Sequence, residues 1–207
     1  GPQRIAWRYD PVLLTEYYTK ERHSETFEYM ASRLAGHIDR CIFSFVEMYR
    51  KHERNFPELI PLTQEDKREL AEGLGHIARK YGILLQTCGP EADYEAYGIH
   101  ISGCNTLDIL GAANNLQFRR LKHPGMRKGC HCFPSRDLGA MNSCPCGCKY
   151  CYANRDTETA LINYKRHDPC SPLLIGHVLP TDKVGQGAQE TLQVKQKKSE
   201  NINPLFP

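Results

Sequence analysis

The chain has 207 residues, of which 40% are hydrophobic and 25% are charged. This composition suits a globular domain with a sizeable core, so it excludes a wholly disordered protein. A formal net charge of +3 at pH 7 does not indicate a nucleic-acid surface. No apolar run approaches the roughly 18 residues that a membrane helix needs, and the first residues do not resemble a secretory signal. We therefore expect a cytoplasmic protein without a membrane span.

The first ninety residues alternate predicted strands with predicted helices. Strands are predicted over residues 4–9, 41–46 and 83–88. The first helix is expected to start near Ser24, and the second has Thr63 as its N-cap. The buried stripes of the two helices follow helical spacing and consist of Phe27, Met30, Ala31 and Leu34, then Leu70, Leu74, Ile77, Ala78 and Tyr81.

This alternation predicts an α/β protein built from right-handed βαβ units with a parallel sheet. Three units cannot close an eight-stranded barrel, so we predict a partial, TIM-like β/α barrel followed by a cysteine-rich metal-binding region. The expected segments are strand–helix units over 1–88, a cluster-binding region over 89–178 and a disordered polar tail over 179–207. Because the chain lacks an initiator Met and starts beside a predicted strand, we expect an N-terminal portion to be missing.

Polar side chains lie near the ends of the three predicted strands. Arg8 and Asp10 share a parity in the first strand, Ser44 takes the equivalent place in the second, and Gln86 in the third. In parallel α/β folds, ligands bind at the carboxyl ends of strands. These four residues are therefore candidates to face a substrate in a cavity, with an ordinary strand-end ion pair as the alternative for Arg8 and Asp10.

Ten cysteines are the most informative feature of the sequence. Small secreted domains use such a density for disulfides, but this chain is larger and concentrates its thiols. Closely spaced Cys-x-Cys and Cys-x-x-Cys pairs favour a metal or a cluster. Six of the cysteines fall in one stretch rich in glycine and proline, at positions 130, 132, 144, 146, 148 and 151.

One local spacing is specific. Cys144, Cys148 and Cys151 form a C-x3-C-x2-C pattern, with Tyr150 directly before the last cysteine. Three thiolates on one loop can hold three irons of a 4Fe–4S cube and leave the fourth iron open, whereas ordinary electron-transfer clusters take four cysteines. The pattern resembles the loop of the radical S-adenosylmethionine enzymes. Cys146 is surplus to it.

Two alternatives use the same cysteines differently. Cys130 and Cys132 together with Cys148 and Cys151 would make CxC…CxxC, adequate for a tetrahedral structural zinc. The protein would then be a zinc-binding module whose basic stretch 119–128 contacts nucleic acid. The second alternative is a non-catalytic iron–sulfur electron carrier.

In most radical S-adenosylmethionine enzymes the cysteine loop follows the first barrel strand, whereas here it follows the strand–helix units. This order resembles the prokaryotic family called domain of unknown function 1848, which places such a cluster at the C-terminus of a partial barrel. Position 146, commonly a histidine in that family, is a cysteine here. The matching stretches span residues 3–176 and are Trp7–Pro11, Gln86–Cys88, Gly103–Cys104, Cys130–Cys132, Ser135–Ala140, Cys144–Asn154 and His167–Leu174.

The resemblance implies a chemistry. The open iron would chelate S-adenosylmethionine, and its reductive cleavage would give a 5′-deoxyadenosyl radical that abstracts hydrogen from an unknown substrate. Tyr150 would pack near the adenine, and an electron donor such as flavodoxin or ferredoxin is expected. The resemblance also selects a possible second site, either an auxiliary iron–sulfur cluster or zinc, with four buried thiols as the alternative. Its ligands would be Cys88, Cys104, Cys130 and Cys132.

Overall fold

The computed structural model describes residues 1–48, 54–88, 92–120, 129–135, 138–187 and 191–194. The strands are β1 (Ala6–Val12), β2 (Arg40–Phe45), β3 (Leu84–Thr87) and β4 (His100–Ile101). The helices are α1 (Lys20–Leu34), α2 (Gln64–Lys80), α3 (Leu107–Asn114) and α4 (Thr157–Lys165). Short 3-10 turns cover Pro2–Arg4 and Ala92–Tyr97.

The strands form one parallel sheet in the order β1-β2-β3-β4. Trp7 is in register with Cys41, and Cys41 with Leu85, so these three side chains share one face. The predicted α/β class and its three parallel strands are confirmed, and β4 is an addition. Over the described residues the sheet stays open with four strands, so the structure does not show a closed barrel.

Local capping explains where the two long helices begin. Helix α2 starts after Thr63, as predicted, because Thr63 Oγ1 accepts the Asp66 N–H at 3.1 Å and the Asp66 carboxylate accepts the Thr63 N–H at 2.9 Å. Helix α1 starts four residues before the predicted position, with Thr19 as its cap. Ser24 lies inside its first turns, where its hydroxyl donates to the Lys20 carbonyl at 3.1 Å.

The hydrophobic core lies between one face of the sheet and helices α1 and α2. Phe27 of α1 is fully buried and stacks on Trp7 of β1, with 4.6 Å between ring centroids. Leu74 of α2 is also buried in this cluster. On β1 and β3 the opposite face carries Arg8 and Gln86, which are both in register with the same residue of β2. The predicted polar strand-end residues therefore share the face away from the helices.

The region after residue 89, where the sequence shows no regular periodicity, contains β4, α3 and α4. Helix α3 packs against the Pro2–Arg4 turn that precedes β1. Part of the predicted disordered tail is paired: the Arg119 N–H donates to the Leu192 carbonyl and the Val194 N–H to the Gln117 carbonyl, each at 2.8 Å. Residues 195–207 of that tail lie outside the described residues. No helix in the described part of the chain is long and apolar enough to cross a membrane.

Candidate metal sites at the carboxyl edge of the sheet

Three of the four predicted strand-end residues form one polar network. The Arg8 guanidinium donates to the Asp10 carboxylate at 2.5 Å, and the Ser44 hydroxyl donates to the other oxygen of Asp10. Side-chain exposure is 49% for Arg8 and 20% for Asp10, so this ion pair is accessible to solvent. Arg8 also lies close enough to Cys104 to lower the pKa of its thiol. The network therefore connects the ends of β1 and β2 to a cysteine beyond β4.

Gln86 has a different environment from the other three. Only 1% of its surface is exposed, and its side-chain amide donates to the Gly103 carbonyl at 2.8 Å and to the Ser102 carbonyl at 3.2 Å. A buried amide with both protons donated to backbone fixes that backbone. The amide of Gln86 therefore holds the segment that carries Cys104, and the contact of Gln86 with a substrate stays a prediction.

Three cysteines from distant parts of the sequence converge next to this network. The sulfurs of Cys88, Cys104 and Cys132 all lie within 4.8 Å of one another, and the Cys104–Cys132 sulfur distance is 3.2 Å. Cys88 directly follows β3, and Cys104 lies three residues beyond β4. Cys132 reaches them from the segment 129–135 and is 7% exposed. Among the described residues this is the one group of three or more His, Cys, Asp or Glu ligand atoms that all lie within 4.8 Å of one another.

A glycine allows the segment with Cys132 to approach so closely. A Cβ atom at Gly103 would lie 2.3 Å from the His131 carbonyl oxygen and 2.8 Å from the Cys132 Cα atom. The Phe133 N–H donates to the Asn105 carbonyl at 2.6 Å, and the Cys104 N–H donates to the Cys132 sulfur at 3.2 Å. The backbone contact at Gly103 and these two hydrogen bonds place Cys132 next to Cys104.

The thiols within this group influence one another's ionisation. A hydrogen bond from Cys88, with further ones from Cys132 and Arg8, lowers the pKa of the Cys104 thiol to about 5. The same hydrogen bond to Cys104, together with burial, raises the pKa of Cys88. Burial is the main cause that raises the pKa of Cys132, to about 11. The pKa of Cys104 is therefore lowered, while those of Cys88 and Cys132 are raised.

Cys130, the fourth predicted ligand of this site, lies beside the group. It does not belong to the set within 4.8 Å, but its sulfur accepts the Cys132 N–H at 3.4 Å. Its charge also raises the pKa of Cys88. Cys130 is half-buried, like Cys88 and Cys104. The four dispersed cysteines of the predicted second site thus occupy one region.

The loop with the C-x3-C-x2-C pattern is a separate feature. Cys144 and Cys148 are exposed, and Cys151 is half-buried. Asn154 connects the two ends of the loop: its side-chain amide donates to the Cys144 carbonyl at 2.6 Å, and its N–H donates to the Cys151 sulfur at 3.3 Å. Gly147 adopts a positive φ of 63° at the turn. The loop is held at its base and presents its thiols outward.

The same loop is fixed against the residues that follow β2. The Tyr150 hydroxyl accepts the N–H of Glu47 at 3.2 Å, and the Lys149 ammonium forms an ion pair with Glu58 at 2.6 Å. Cys146 interacts with Cys144: its backbone N–H, and then its thiol, lower the pKa of Cys144. The surplus cysteine of the sequence pattern is thus a neighbour of Cys144, the first cysteine of that pattern.

A cavity of about 750 Å³ adjoins this loop. Its wall includes Lys149, the residues that follow β1 and the residues before α2, with Tyr17, Tyr18 and Phe56 as its aromatic members. The sequence prediction missed this cavity and the loop-closing Asn154. The sequence does contain a signal for each feature. Two adjacent tyrosines just after a strand could have indicated the cavity, and an asparagine three residues after Cys151 could have indicated the residue that closes the loop.

The zinc alternative predicted from CxC…CxxC spacing is not the arrangement found. Cys132 lies with Cys88 and Cys104, whereas Cys148 and Cys151 lie in the loop described above. The basic stretch 119–128 of that alternative lies mostly outside the described residues, which end at position 120 and resume at 129.

The comparisons with known proteins identify a family. A family model described as "Domain of unknown function (DUF1848)" matches residues 1–153. No curated protein and no solved structure matches the chain. The matched range covers the strand–helix units, the group at Cys88, Cys104 and Cys132, and the loop as far as Cys151. The chain belongs to the family of domain of unknown function 1848.

Proposed function

We propose that the chain binds a 4Fe–4S cluster through Cys144, Cys148 and Cys151 and acts as a radical S-adenosylmethionine-type enzyme on an unidentified substrate. The observation that carries the proposal is the position of this loop. Tyr150 and Lys149 hold it against Glu47 and Glu58, which both follow β2 in the chain. In open parallel α/β sheets, ligands bind outside the carboxyl ends of the strands.

The donor set fits a cluster better than a single ion. Thiolates that bind one ion have short distances between their sulfurs. A cube places each thiolate on a different iron, so the sulfurs lie further apart. Over the described residues, the three loop sulfurs do not form a group within 4.8 Å of one another. The N–H of Asn154 that points at the Cys151 sulfur is also the kind of bond that tunes a cluster. A polynuclear centre matches this spacing.

The residues around the loop would bind and orient the other reactants. When bound, the cluster and S-adenosylmethionine would supply a reductive cleavage that yields a hydrogen-abstracting radical. Tyr150 lies within the loop, where it can pack against the adenine. The adjoining cavity of about 750 Å³ has the size of a small-molecule site. The electron would come from a donor such as flavodoxin or ferredoxin.

The polar network of β1 and β2 is the candidate substrate contact. Arg8 is 49% exposed in its side chain and is oriented by Asp10, which Ser44 also contacts. A guanidinium held by a carboxylate is suited to an anionic or carboxylate-bearing group. Gln86 would act through the backbone at Gly103.

The test is anaerobic reconstitution with iron and sulfide, followed by quantification of both and an assay for 5′-deoxyadenosine. We expect a brown protein with about four irons in the loop, and formation of 5′-deoxyadenosine from S-adenosylmethionine and reductant. Cys144→Ala, Cys148→Ala and Cys151→Ala should each lose this cluster, whereas Cys146→Ala should retain it. A cluster that survives Cys144→Ala but not Cys146→Ala would contradict this ligand set.

An electron carrier is the second candidate because Cys146 lies within hydrogen-bonding range of Cys144. With Cys146 as a fourth ligand, every iron would be saturated and S-adenosylmethionine would have no place to bind. In that case the protein would show a reversible cluster signal, no 5′-deoxyadenosine, and loss of the cluster in Cys146→Ala. The same set of variants therefore separates the two functions.

A further inference from the structure

The spacing of the sulfurs of Cys88, Cys104 and Cys132 is that of ligands around one ion. In a tetrahedral zinc site with Zn–S bonds of about 2.3 Å, neighbouring sulfurs lie about 3.8 Å apart. Here all three sulfurs lie within 4.8 Å of one another, and one pair is 3.2 Å apart. A cube would need them on separate irons and therefore further apart. A mononuclear site fits without a large rearrangement.

Cys130 is the natural fourth ligand. It precedes Cys132 by two residues, and its sulfur already accepts the Cys132 N–H at 3.4 Å. Its thiol is half-buried, and we expect its sulfur to turn toward the other three when an ion binds. Four thiolates and no open position are the ligand set of a structural zinc site.

The surroundings of the group are suited to a doubly negative tetrathiolate site. The Cys104 N–H donates to the Cys132 sulfur at 3.2 Å, and such N–H···S bonds stabilise thiolates. The Arg8 guanidinium lies next to Cys104 and supplies positive charge. The protein thus provides both hydrogen bonds and charge around these sulfurs before any ion is bound.

The group also lies where a cross-link is useful. It joins the end of β3, the segment after β4 and the segment 129–135, and only short stretches of regular structure hold the last two. A metal that binds only the folded chain, and not the unfolded one, adds its binding free energy to the stability of the fold.

We propose that Cys88, Cys104, Cys130 and Cys132 bind one Zn²⁺ ion in a structural site that is independent of the cluster loop. The inference goes beyond the proposed enzymatic function, because it assigns the metal and the role of a second centre. It holds or fails separately from the chemistry at Cys144, Cys148 and Cys151.

The experiment uses the full chain with Cys144→Ser, Cys148→Ser and Cys151→Ser, so that the cluster loop cannot contribute ligands. We expect this variant to retain about one zinc per chain, four sulfur neighbours at about 2.3 Å in zinc X-ray absorption, and a tetrahedral thiolate spectrum with Co²⁺. In this background Cys88→Ser and Cys130→Ser should each weaken Co²⁺ binding at least tenfold. The matched control is Cys170→Ser, which removes an exposed thiol outside both groups and should change nothing.

Three results would overturn the proposal. Co²⁺ binding unaffected by both Cys88→Ser and Cys130→Ser would show that these thiols are not ligands. An iron–sulfur chromophore formed in the loop-deficient variant would assign the site to a cluster. Three sulfurs and one lighter ligand in the X-ray absorption would exclude Cys130. Far-UV circular dichroism shows whether each variant is folded. If one variant misfolds, the zinc content of the unsubstituted chain still tests the proposal.

Discussion

The side-chain amide of Asn154 donates to the Cys144 carbonyl at 2.6 Å, across the base of the three-cysteine loop. The backbone N–H of the same asparagine donates to the Cys151 sulfur at 3.3 Å. The first and last cysteines of the pattern are thus held by one residue that is 7% exposed. The loop is thus already organised, which would lower the entropy cost of binding the proposed cluster.

We expect Asn154→Ala to impair cluster assembly without unfolding the domain. Loss of a hydrogen bond of this kind costs about 1 kcal/mol, and the loop ends would separate. The iron content after reconstitution should fall several-fold, while the urea-induced unfolding midpoint changes little. Asn163→Ala is the matched control, because its amide donates to the Asn142 carbonyl at 2.9 Å nearby. Equal iron content in the two variants would contradict this role.

Gly103→Ala is expected to disrupt the proposed zinc site. The new Cβ would clash with the His131 carbonyl oxygen at 2.3 Å and push Cys132 away from Cys104. Overpacking at such a contact typically costs about 1–3 kcal/mol, so zinc content and thermal midpoint should both fall. Gly73→Ala in α2 is the control, since its nearest neighbour would be the Ser24 hydroxyl at 3.8 Å. That change should stabilise the chain by about 0.5–1 kcal/mol.

The two N-caps offer a test of the helix layer. Thr63→Ala removes a reciprocal capping box and should destabilise the fold by about 1 kcal/mol. Thr19→Ala removes one cap hydrogen bond from α1 and should cost less. Urea titration of the metal-free chain measures the change in the free energy of unfolding for each variant. A larger loss for Thr19→Ala than for Thr63→Ala would show that this difference in caps does not govern stability.

The sequence predicted best the features that depend on neighbours along the chain. Thr63 and its acidic first turn predicted the start of α2, and the apolar strands predicted three members of the sheet. Strand β4 has two residues, too few for a periodic signal. Helix α1 was misplaced because Ser24 has an N-cap residue type, whereas Thr19 makes the cap.

The two candidate sites differ in the same way: one is formed by residues close in sequence, and the other by residues that only the fold brings together. The three-cysteine loop is local in sequence, so its spacing alone is enough to propose it as a site, and its role as a cluster loop stays a prediction. The group at Cys88, Cys104 and Cys132 is assembled by the sheet and by the close approach at Gly103, which no spacing could reveal. The resemblance to the family selected these thiols, and the fold explains why they meet. The burial of Gln86 likewise depends on the position of Gly103.

A buried histidine predicts a loss of stability in acid. His23 is 7% exposed, its Nε2 contacts the Leu13 carbonyl at 2.6 Å, and its Nδ1 contacts the Tyr9 hydroxyl at 2.7 Å. Burial lowers the pKa of His23 below its ordinary value of 6.5. The unfolded chain therefore binds the proton first as the pH falls below that value, and the free energy of unfolding decreases.

Urea titrations between about pH 7.5 and pH 5.5 measure how the free energy of unfolding depends on pH. This window covers the ordinary titration range of histidine. The loss of stability toward acid should be smaller in His23→Gln, which cannot take up the proton. His76→Gln changes an exposed histidine of α2 and should keep the slope of the unsubstituted chain. An unchanged slope in His23→Gln would assign the acid sensitivity to other groups.

We propose that the loop of Cys144, Cys148 and Cys151 leaves one iron of its cluster open to S-adenosylmethionine. Electron paramagnetic resonance of the anaerobically reconstituted, reduced protein tests it directly, with spectra recorded before and after S-adenosylmethionine is added. We expect a reduced 4Fe–4S signal that shifts on addition of S-adenosylmethionine, in the unsubstituted chain and in Cys146→Ala alike. A cluster signal that S-adenosylmethionine leaves unchanged, or no cluster signal in Cys146→Ala, would contradict it.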